Sequence, residues 1–362
     1  MKNEIERNMD MDSKLPLVCI CIPAYNAEKT IERTLESLVK QTYKNIIIKI
    51  VNNNSSDRTP EIAEKYAKQY ENITTYNFDI TVPGEENFDR CLQLSEGDYT
   101  CLFHSDDVYD SHIIEREVSA LQENDSLGAV FTCANIIDEN DVIVDQLVPR
   151  EEFIKNKIYT FDEMFPVILR YGMCFVTPSA MVRTEVYKKT IKKHQRDKSF
   201  GGASDADTWI RILKASNVMI LQEKLINYRM SMASYSYRTL MVYKNTLSDC
   251  LLRVLEHNIN EINDNSKRDK YVDILAKFKT KILLDDAYKA IICGDFEYAR
   301  EVLEMLNGVK MSFRYLCKKK LYAVLANVGI PQSIRKMLIY KKYHRLLSFD
   351  DIDAKQGAEE KK

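Results

Sequence analysis

The chain has 362 residues, a formal net charge of −2, 45% hydrophobic and 29% charged residues. These values are ordinary for a soluble globular protein with room for two domains, one near average size and one smaller. The polar, charged stretch Met1–Lys14 excludes a signal peptide, and no run approaches the roughly 18 apolar residues of a membrane span. Nine cysteines stand singly, with no CxxC spacing and several inside apolar runs, as expected of reduced, packed thiols in a cytosolic protein.

The small net charge hides an asymmetry. Between Met305 and Phe349 there are ten Lys or Arg and no Asp or Glu, so the remainder carries about −12. Two parts of the chain therefore face different surroundings.

In chain order, residues 17–22 (LVCICI) form a continuous apolar run, the pattern of a strand buried on both faces. Pro23-Ala24-Tyr25-Asn26 ends it, and helical spacing follows over Ala27–Gln41. A second buried strand, Ile46–Val51, stops at Asn52-Asn53-Asn54-Ser55-Ser56-Asp57. Ser56 or Asp57 then caps a helix that opens at Pro60. Strand Ile73–Phe78, helix Phe88–Leu94 and strand Tyr99–Phe103 continue the alternation, which implies βαβ units and a mainly parallel sheet.

The last of these strands runs into His104-Ser105-Asp106-Asp107. A loop at the carboxyl end of a buried strand is where open α/β sheets bind ligands. Two adjacent carboxylates repel, and hard oxygen ligands suit Mg²⁺ or Mn²⁺ with phosphate oxygens completing the shell. The same pair also reads as a loop that caps a helix beginning near Asp110 or Ser111.

Further on come helix Ile113–Gln122, strand Ala129–Asn135, a loop over Val142–Lys157, a helix near Phe161–Arg170 and strand Ser179–Arg183. His194–Asp205, rich in Gly, Ser and charge, predicts a mobile loop. Helix Asp207–Ala215 and strand Val218–Leu221 follow, and from Arg238 onward only helical patterns remain.

Five segments in this order resemble family-2 glycosyltransferases of the GT-A fold, over about Pro16–Ser236. ICIPAYN is similar to the family's first strand and nucleotide loop, and VNNNSSDRT stands where the family often has V-D-D-G-S-x-D-x-T. LSEGDYTCLFHSDD resembles the run ending in the family's DxD. SDADTWIRIL is similar to E-D-x-D-x-W-x-R-L, and YRMSMASYS to Y-R-x-H-x-x-S-x-S. The chain departs from the pattern at His104, Asn52, Asn53, Ser204 and Ser231.

The resemblance implies a nucleotide-sugar donor, UDP-linked foremost, held by Pro23, Ala24, Tyr25, Asn26, Asn52, Asn53, Asp57, His104 and Ser105. Asn52 and Asn53 would offer carbonyl acceptors to a base N3–H, and His104 a hydrogen bond to a ribose hydroxyl. Asp106, with Asp107 beside it, would hold Mn²⁺ or Mg²⁺. Asp205 is the candidate general base, and a single base without an opposing nucleophile implies inversion. Asp205 also reads as a helix cap. Trp209 and Asp207 are candidate acceptor contacts, Trp209 equally a core residue and Asp207 a partner for Arg211. Ser234 and Ser236 cap a helix or touch phosphate.

The basic segment 305–349 carries apolar stripes on either side of Gly329-Ile330-Pro331. It reads as an anchor on an anionic membrane surface or as a bundle packed on the catalytic domain, and no nucleic-acid motif accompanies it. The expected organisation is a polar N-terminus (1–15), a GT-A domain (16–237), a helical region (238–348) and a polar tail (349–362). The expected activity is metal-dependent, inverting hexosyl or N-acetylhexosaminyl transfer to a surface-glycan or lipid-linked saccharide, in cell-envelope polysaccharide synthesis. It would take place in the cytoplasm or peripherally on the inner face of the membrane. Two alternatives compete with this reading. A sugar-nucleotide pyrophosphorylase would need a Gly-rich signature where Pro23-Ala24-Tyr25-Asn26 stands. A degenerate GT-A domain would bind nucleotide and act as a membrane-surface scaffold.

Overall fold

The computed structural model describes residues 15–148, 153, 157–191, 197–230 and 246–343. Ser231, Ser234, Ser236 and the boundary near 238 lie outside the described residues, as do 1–14 and the tail from 344.

The apolar runs form the centre of a ten-stranded sheet. Strands β1 (Val18–Ala24), β2 (Ile46–Asn52), β3 (Ile73–Asn77) and β4 (Tyr99–Leu102) are parallel, in the order β3-β2-β1-β4. Helices α1 (Ile31–Val39), α2 (Thr59–Gln69) and α3 (Gly84–Leu94) are the crossovers. Every residue of β4 is buried, and Cys19, Cys21, Ile20 and Ile22 of β1 are fully enclosed, as a continuous apolar run requires.

The second half of the sheet is mixed. After β4 come β5 (Val108–Tyr109), α4 (Ile113–Glu123), β6 (Leu127–Ile137), β7 (Ile143–Leu147), β8 (Ile158–Tyr159) and α5 (Phe161–Tyr171). Then follow β9 (Met181–Arg183), α6 (Thr184–Thr190), α7 (Ser204–Ala215) and β10 (Asn217–Arg229). The sheet continues β4-β9-β6-β10-β5, with β9 antiparallel to both neighbours and β10 parallel to β6. Insertion of β9 directly beside β4 places the second half of the chain against the Asp106–Asp107 turn.

Three segments differ from their expected structure. Residues 143–147, expected as loop, form β7, which pairs antiparallel with β6; its exposed, unpatterned side chains hide the strand from a periodicity argument. In the expected mobile loop 194–205, Lys198–Ala203 form a 3-10 segment, with Gly201 at φ +43, a conformation that favours glycine. Strand β10 runs on to Arg229, eight residues past the expected end at Leu221, because register shifts let it bend and remain paired with β6.

Beyond β10 the described residues are helical: α8 (Thr246–Asn260), α9 (Asn265–Cys293), α10 (Phe296–Glu304), α11 (Phe313–Val328) and α12 (Gln332–Tyr343). Leu255 and Ile259 of α8 and Phe278 of α9 share one core cluster with Phe165, Trp209 and Ile212. The first half of the helical region thus completes the core of the sheet. The second half of α9 forms a separate cluster with α10 and α11.

Candidate active site

Phe103 fixes the turn that follows β4. Its N–H donates to the Cys21 carbonyl at 3.0 Å, and its ring stacks on Tyr109 at 4.0 Å between centroids. The Tyr109 hydroxyl accepts from the His104 N–H at 2.8 Å. From α1, the Thr30 hydroxyl donates to the Ser105 carbonyl at 3.0 Å and the Thr34 hydroxyl to the Asp107 carbonyl at 2.7 Å.

Arg229, the last residue of β10, clamps the turn from the other side. Its N–H donates to Asp107 Oδ1 at 2.7 Å and its Nε to the Asp106 carbonyl at 2.8 Å. Its guanidinium continues to the Asp138 carbonyl and to Asp141 Oδ1, and Asp141 Oδ2 pairs with Arg33 at 2.7 Å. Only 2% of the Arg229 side chain is exposed, so these partners hold a buried cation whose release would be costly.

Potential ligand atoms of His104, Asp106 and Asp107 lie within 4.8 Å of one another. Asp106 lines the cavity; Asp107 is fully buried beneath it. Asp107 Oδ2 and His104 Nε2 are buried without a hydrogen-bond partner. Burial, then the Asp106 charge, pushes the Asp107 carboxyl well above the usual carboxylate range, against the pull of Arg229. Burial holds the His104 imidazole below its ordinary value, while the charges of Asp106 and Asp205 act in the other direction. The Asp106 and Asp107 carboxyl groups and the His104 imidazole, the last two each with an unpartnered buried atom, fit a divalent cation, whose charge would favour the ionised form of Asp107.

The cavity beside this turn has a volume of about 550 Å³ and is lined by His104, Asp106, Asp205, Thr177 and Trp209 among others. Asp205 stands in the first turn of α7. It is held there by Ser204, whose hydroxyl donates to the Gly201 carbonyl at 2.6 Å, and by its own Oδ1, which accepts from the Ala206 N–H at 2.7 Å. Asp205 Oδ2 accepts from the Thr177 hydroxyl at 3.0 Å. Trp209, one turn along α7, donates from Nε1 to the same hydroxyl at 3.1 Å and packs edge-on against Phe131.

Asp207, the other candidate acceptor contact, does not reach the cavity. It is buried on the opposite face of α7, accepts from Arg211 at 2.7 Å and faces Asn258 of α8. The i, i+2 spacing within a helix separates it from Asp205.

Of the expected nucleotide residues, Pro23, Ala24 and Asn52 end strands β1 and β2, Tyr25, Asn26, Asn53 and Asp57 lie on the loops that follow them, and His104 and Ser105 lie after β4. Pro23 and Ala24 pair with Val51 and Asn52, and the Asn53 N–H donates to the Ala24 carbonyl at 2.9 Å. Asn26, at φ +47, accepts from the Ser56 N–H at 2.9 Å and so ties the two loops together. Tyr25 is half exposed at 53%. Asp57 accepts from the Glu28 and Thr59 N–H groups at 3.0 Å each. Burial works to raise its carboxyl, but the hydrogen bonds from Thr59 and Glu28 outweigh that and hold it below the usual range.

The amide carbonyls expected to meet a base are engaged inside the protein. Asn52 Oδ1 accepts from the Ser55 N–H at 3.1 Å. Asn53 Oδ1 accepts from the Val82 N–H at 3.0 Å and from Arg90 at 2.9 Å, and both residues are buried. These asparagines shape the loop floor.

Sequence reasoning missed Thr177, Arg90, Asp141 and the clamping role of Arg229. Arg229 stood in the YRMSMASYS segment, so its position was legible. Its distance of more than a hundred residues from Asp106 left nothing to connect them. Thr177, in a 3-10 turn before β9, carries no local signal.

Comparison with known proteins agrees with this geometry. Residues 19–190 match the family described as Glycosyl transferase family 2. An uncharacterised glycosyltransferase of Rickettsia typhi is 27% identical over 224 residues, covering 61% of this chain and 66% of its own length. The Escherichia coli UDP-Glc:alpha-D-GlcNAc-diphosphoundecaprenol beta-1,3-glucosyltransferase WfgD is 23% identical over 222 residues, covering 61% of this chain and 79% of its own. Among solved structures, Staphylococcus aureus TarS 1–349 in complex with UDP-GlcNAc superposes with a TM-score of 0.56 at 18% identity, over 93% of this chain and 88% of that one. Residues 19–190 therefore carry a glycosyl transferase family 2 domain, built on a GT-A fold.

Proposed function

We propose that the protein transfers a hexosyl or N-acetylhexosaminyl group, with inversion, from a nucleotide-diphosphate sugar to a hydroxyl of a lipid-linked or surface-glycan saccharide. The observation that carries this reading is the placement of Asp106 and Asp205 on the wall of one cavity, beside the buried donor set of His104 and Asp107. The names of the relatives, which specify UDP-Glc or UDP-GlcNAc, favour a UDP-sugar. The Escherichia coli relative's undecaprenol-linked acceptor favours a lipid-linked one.

Asp106, Asp107 and His104 would hold Mn²⁺ or Mg²⁺, which when bound offsets the negative charge that develops on the departing diphosphate. Arg229 keeps both carboxylates in place. Asp205 accepts the proton of the attacking acceptor hydroxyl, a role worth roughly 10²–10⁴-fold in rate. Thr177 and Trp209 orient that carboxylate. Apolar side chains around the cavity, Phe88, Leu102, Phe175 and Val176 among them, exclude water from the reacting atoms. No helix among the described residues is long and apolar enough to cross a membrane. We place the reaction at the inner face of an anionic membrane, approached through residues 305–349.

The stereochemistry supplies the test. Slow hydrolysis of an α-linked UDP-sugar, followed by proton NMR, should release the β-anomer first. Initial release of the α-anomer would contradict a single displacement assisted by Asp205.

A further inference from the structure

Helix α11 is apolar on two opposite sides. Its inward side, with Tyr322, Ala323 and Ala326, packs into the cluster formed by α9 and α10. Its outward side carries Phe313, Val328, Val324, Leu321 and Leu316, exposed at 81%, 79%, 57%, 54% and 39%. Cys317 is exposed as well. Spacings of three to five residues put these side chains in one stripe along the full 16-residue helix. Isolated exposed apolar residues are common, but an apolar stripe along a whole helix, interrupted only by Lys320 and Asn327, marks an interaction surface.

Charge identifies the occupant. Lys320 is exposed within the stripe, Arg314 is exposed beside it, and Lys310 precedes it. On α12 the exposed Ile334 and Met337 are followed by exposed Lys341 at the same helical face. No acidic residue occurs from 305 to 349. A second copy of the chain would set two such basic faces against each other, which like-charge repulsion opposes. Nucleic acid would satisfy the lysines but leave the apolar stripe in water. A lipid surface bearing negative headgroups satisfies both.

We propose that the outward face of α11, with the Ile334–Met337–Lys341 edge of α12, docks on anionic lipid. Phe313, Val324 and Val328 enter the boundary between headgroups and acyl chains. The helix lies on the surface while its inward side stays packed on α9 and α10. This rests on the reading of residues 305–349 as membrane-facing and narrows it to one face of one helix.

The test uses the full-length protein with vesicles of neutral phosphatidylcholine and vesicles containing anionic phosphatidylglycerol. Binding to the anionic vesicles should weaken about tenfold or more when Phe313, Val324 and Val328 are all changed to Ser. Val272→Ser, at an apolar site on α9 that is 50% exposed, should bind as wild type. Raised salt should weaken wild-type binding, and the triple variant should retain donor hydrolysis. An environment-sensitive dye on Cys317 should shift to the blue with anionic vesicles, and the signal should vanish in Cys317→Ser.

Equal binding by the triple variant would overturn this assignment while leaving membrane attachment intact. Failure of the wild type to bind anionic vesicles at low salt would overturn both. A lipid-independent dimer that the triple substitution dissolves would show that a second copy covers the face. Equal binding to neutral and anionic vesicles would overturn the charge argument.

Discussion

The Thr177 hydroxyl donates to Asp205 Oδ2 at 3.0 Å and accepts from Trp209 Nε1 at 3.1 Å. The direction of this relay is forced. An indole N–H can only donate, so the single hydroxyl proton of Thr177 must point at Asp205. Asp205 and Trp209 are four residues apart on α7 and face the same side, with Thr177 bridging them from the turn before β9. Thr177→Val keeps the shape and removes the donor. It should lower kcat about tenfold or more while the donor KM stays within about twofold, because a hydrogen bond to a charged group is worth roughly 1.5–3 kcal/mol. Thr177→Ser should restore turnover. In an Asp205→Asn background the Val substitution should add little; full additivity would contradict the coupling.

Asp106 faces the cavity, whereas Asp107 is buried and engaged by Arg229. Asp106→Asn should therefore abolish the Mn²⁺-dependent increment in UDP affinity measured by calorimetry. If Mn²⁺ strengthens UDP binding equally in variant and wild type, Asp106 is not the principal ligand.

Arg229 joins four backbone or side-chain acceptors from two loops, the turn after β4 and the connection between β6 and β7. Arg229→Met keeps much of the side-chain bulk but leaves the Asp106 and Asp138 carbonyls without their partner and Asp141 with Arg33 alone. A loss of about 3 kcal/mol is expected in urea unfolding, since breaking a buried pair costs roughly 3–5 kcal/mol and Asp141 is partly exposed. A loss below about 1 kcal/mol would mean that the clamp is not needed to hold the turn.

Glu117, on the buried face of α4, is enclosed with both carboxylate oxygens unpartnered. Burial raises its pKa well above the ordinary value. The folded state therefore binds a proton that the unfolded state releases near pH 4.3, and stability contributed by the neutral form is lost as pH rises toward the folded-state pKa. Glu117→Met should raise Tm at pH 7 and do so less at pH 4. An equal or larger gain at pH 4 would refute the sign of this linkage.

The parallel half of the sheet was legible because β1, β2 and β4 are buried on both faces and must be continuously apolar. The mixed half was less so. The two-residue strands β5 and β8 are too short for a period, and β7 exposes most of its side chains. Nothing local to Met181–Arg183 announces that it pairs with both β4 and β6. The site followed the same division. His104, Asp106 and Asp205 were legible at strand and helix ends, and all three line one cavity. Asn52 and Asn53 were legible by position but not by partner, because Val82 and Arg90, which take up the Asn53 carbonyl, lie some thirty residues away. In the basic segment, composition could not decide between packing and a lipid surface. The inward side of α11 packs in the helical cluster, and its outward apolar stripe is what composition alone could not separate from it.

Metal-dependent turnover of a nucleotide sugar at the Asp106–Asp205 cavity is most directly tested by hydrolysis across a panel of UDP-sugars, with and without Mn²⁺, in the wild type, Asp106→Asn and Asp205→Asn. Slow donor hydrolysis requires no knowledge of the acceptor. The wild type should release UDP from at least one donor only when Mn²⁺ is present, and Asp106→Asn should remove that dependence together with the activity. Asp205→Asn should reduce the rate about 10²-fold or more with UDP affinity unchanged. Release of UDP at the same rate without divalent metal, or by Asp205→Asn within about threefold of wild type, would contradict the account.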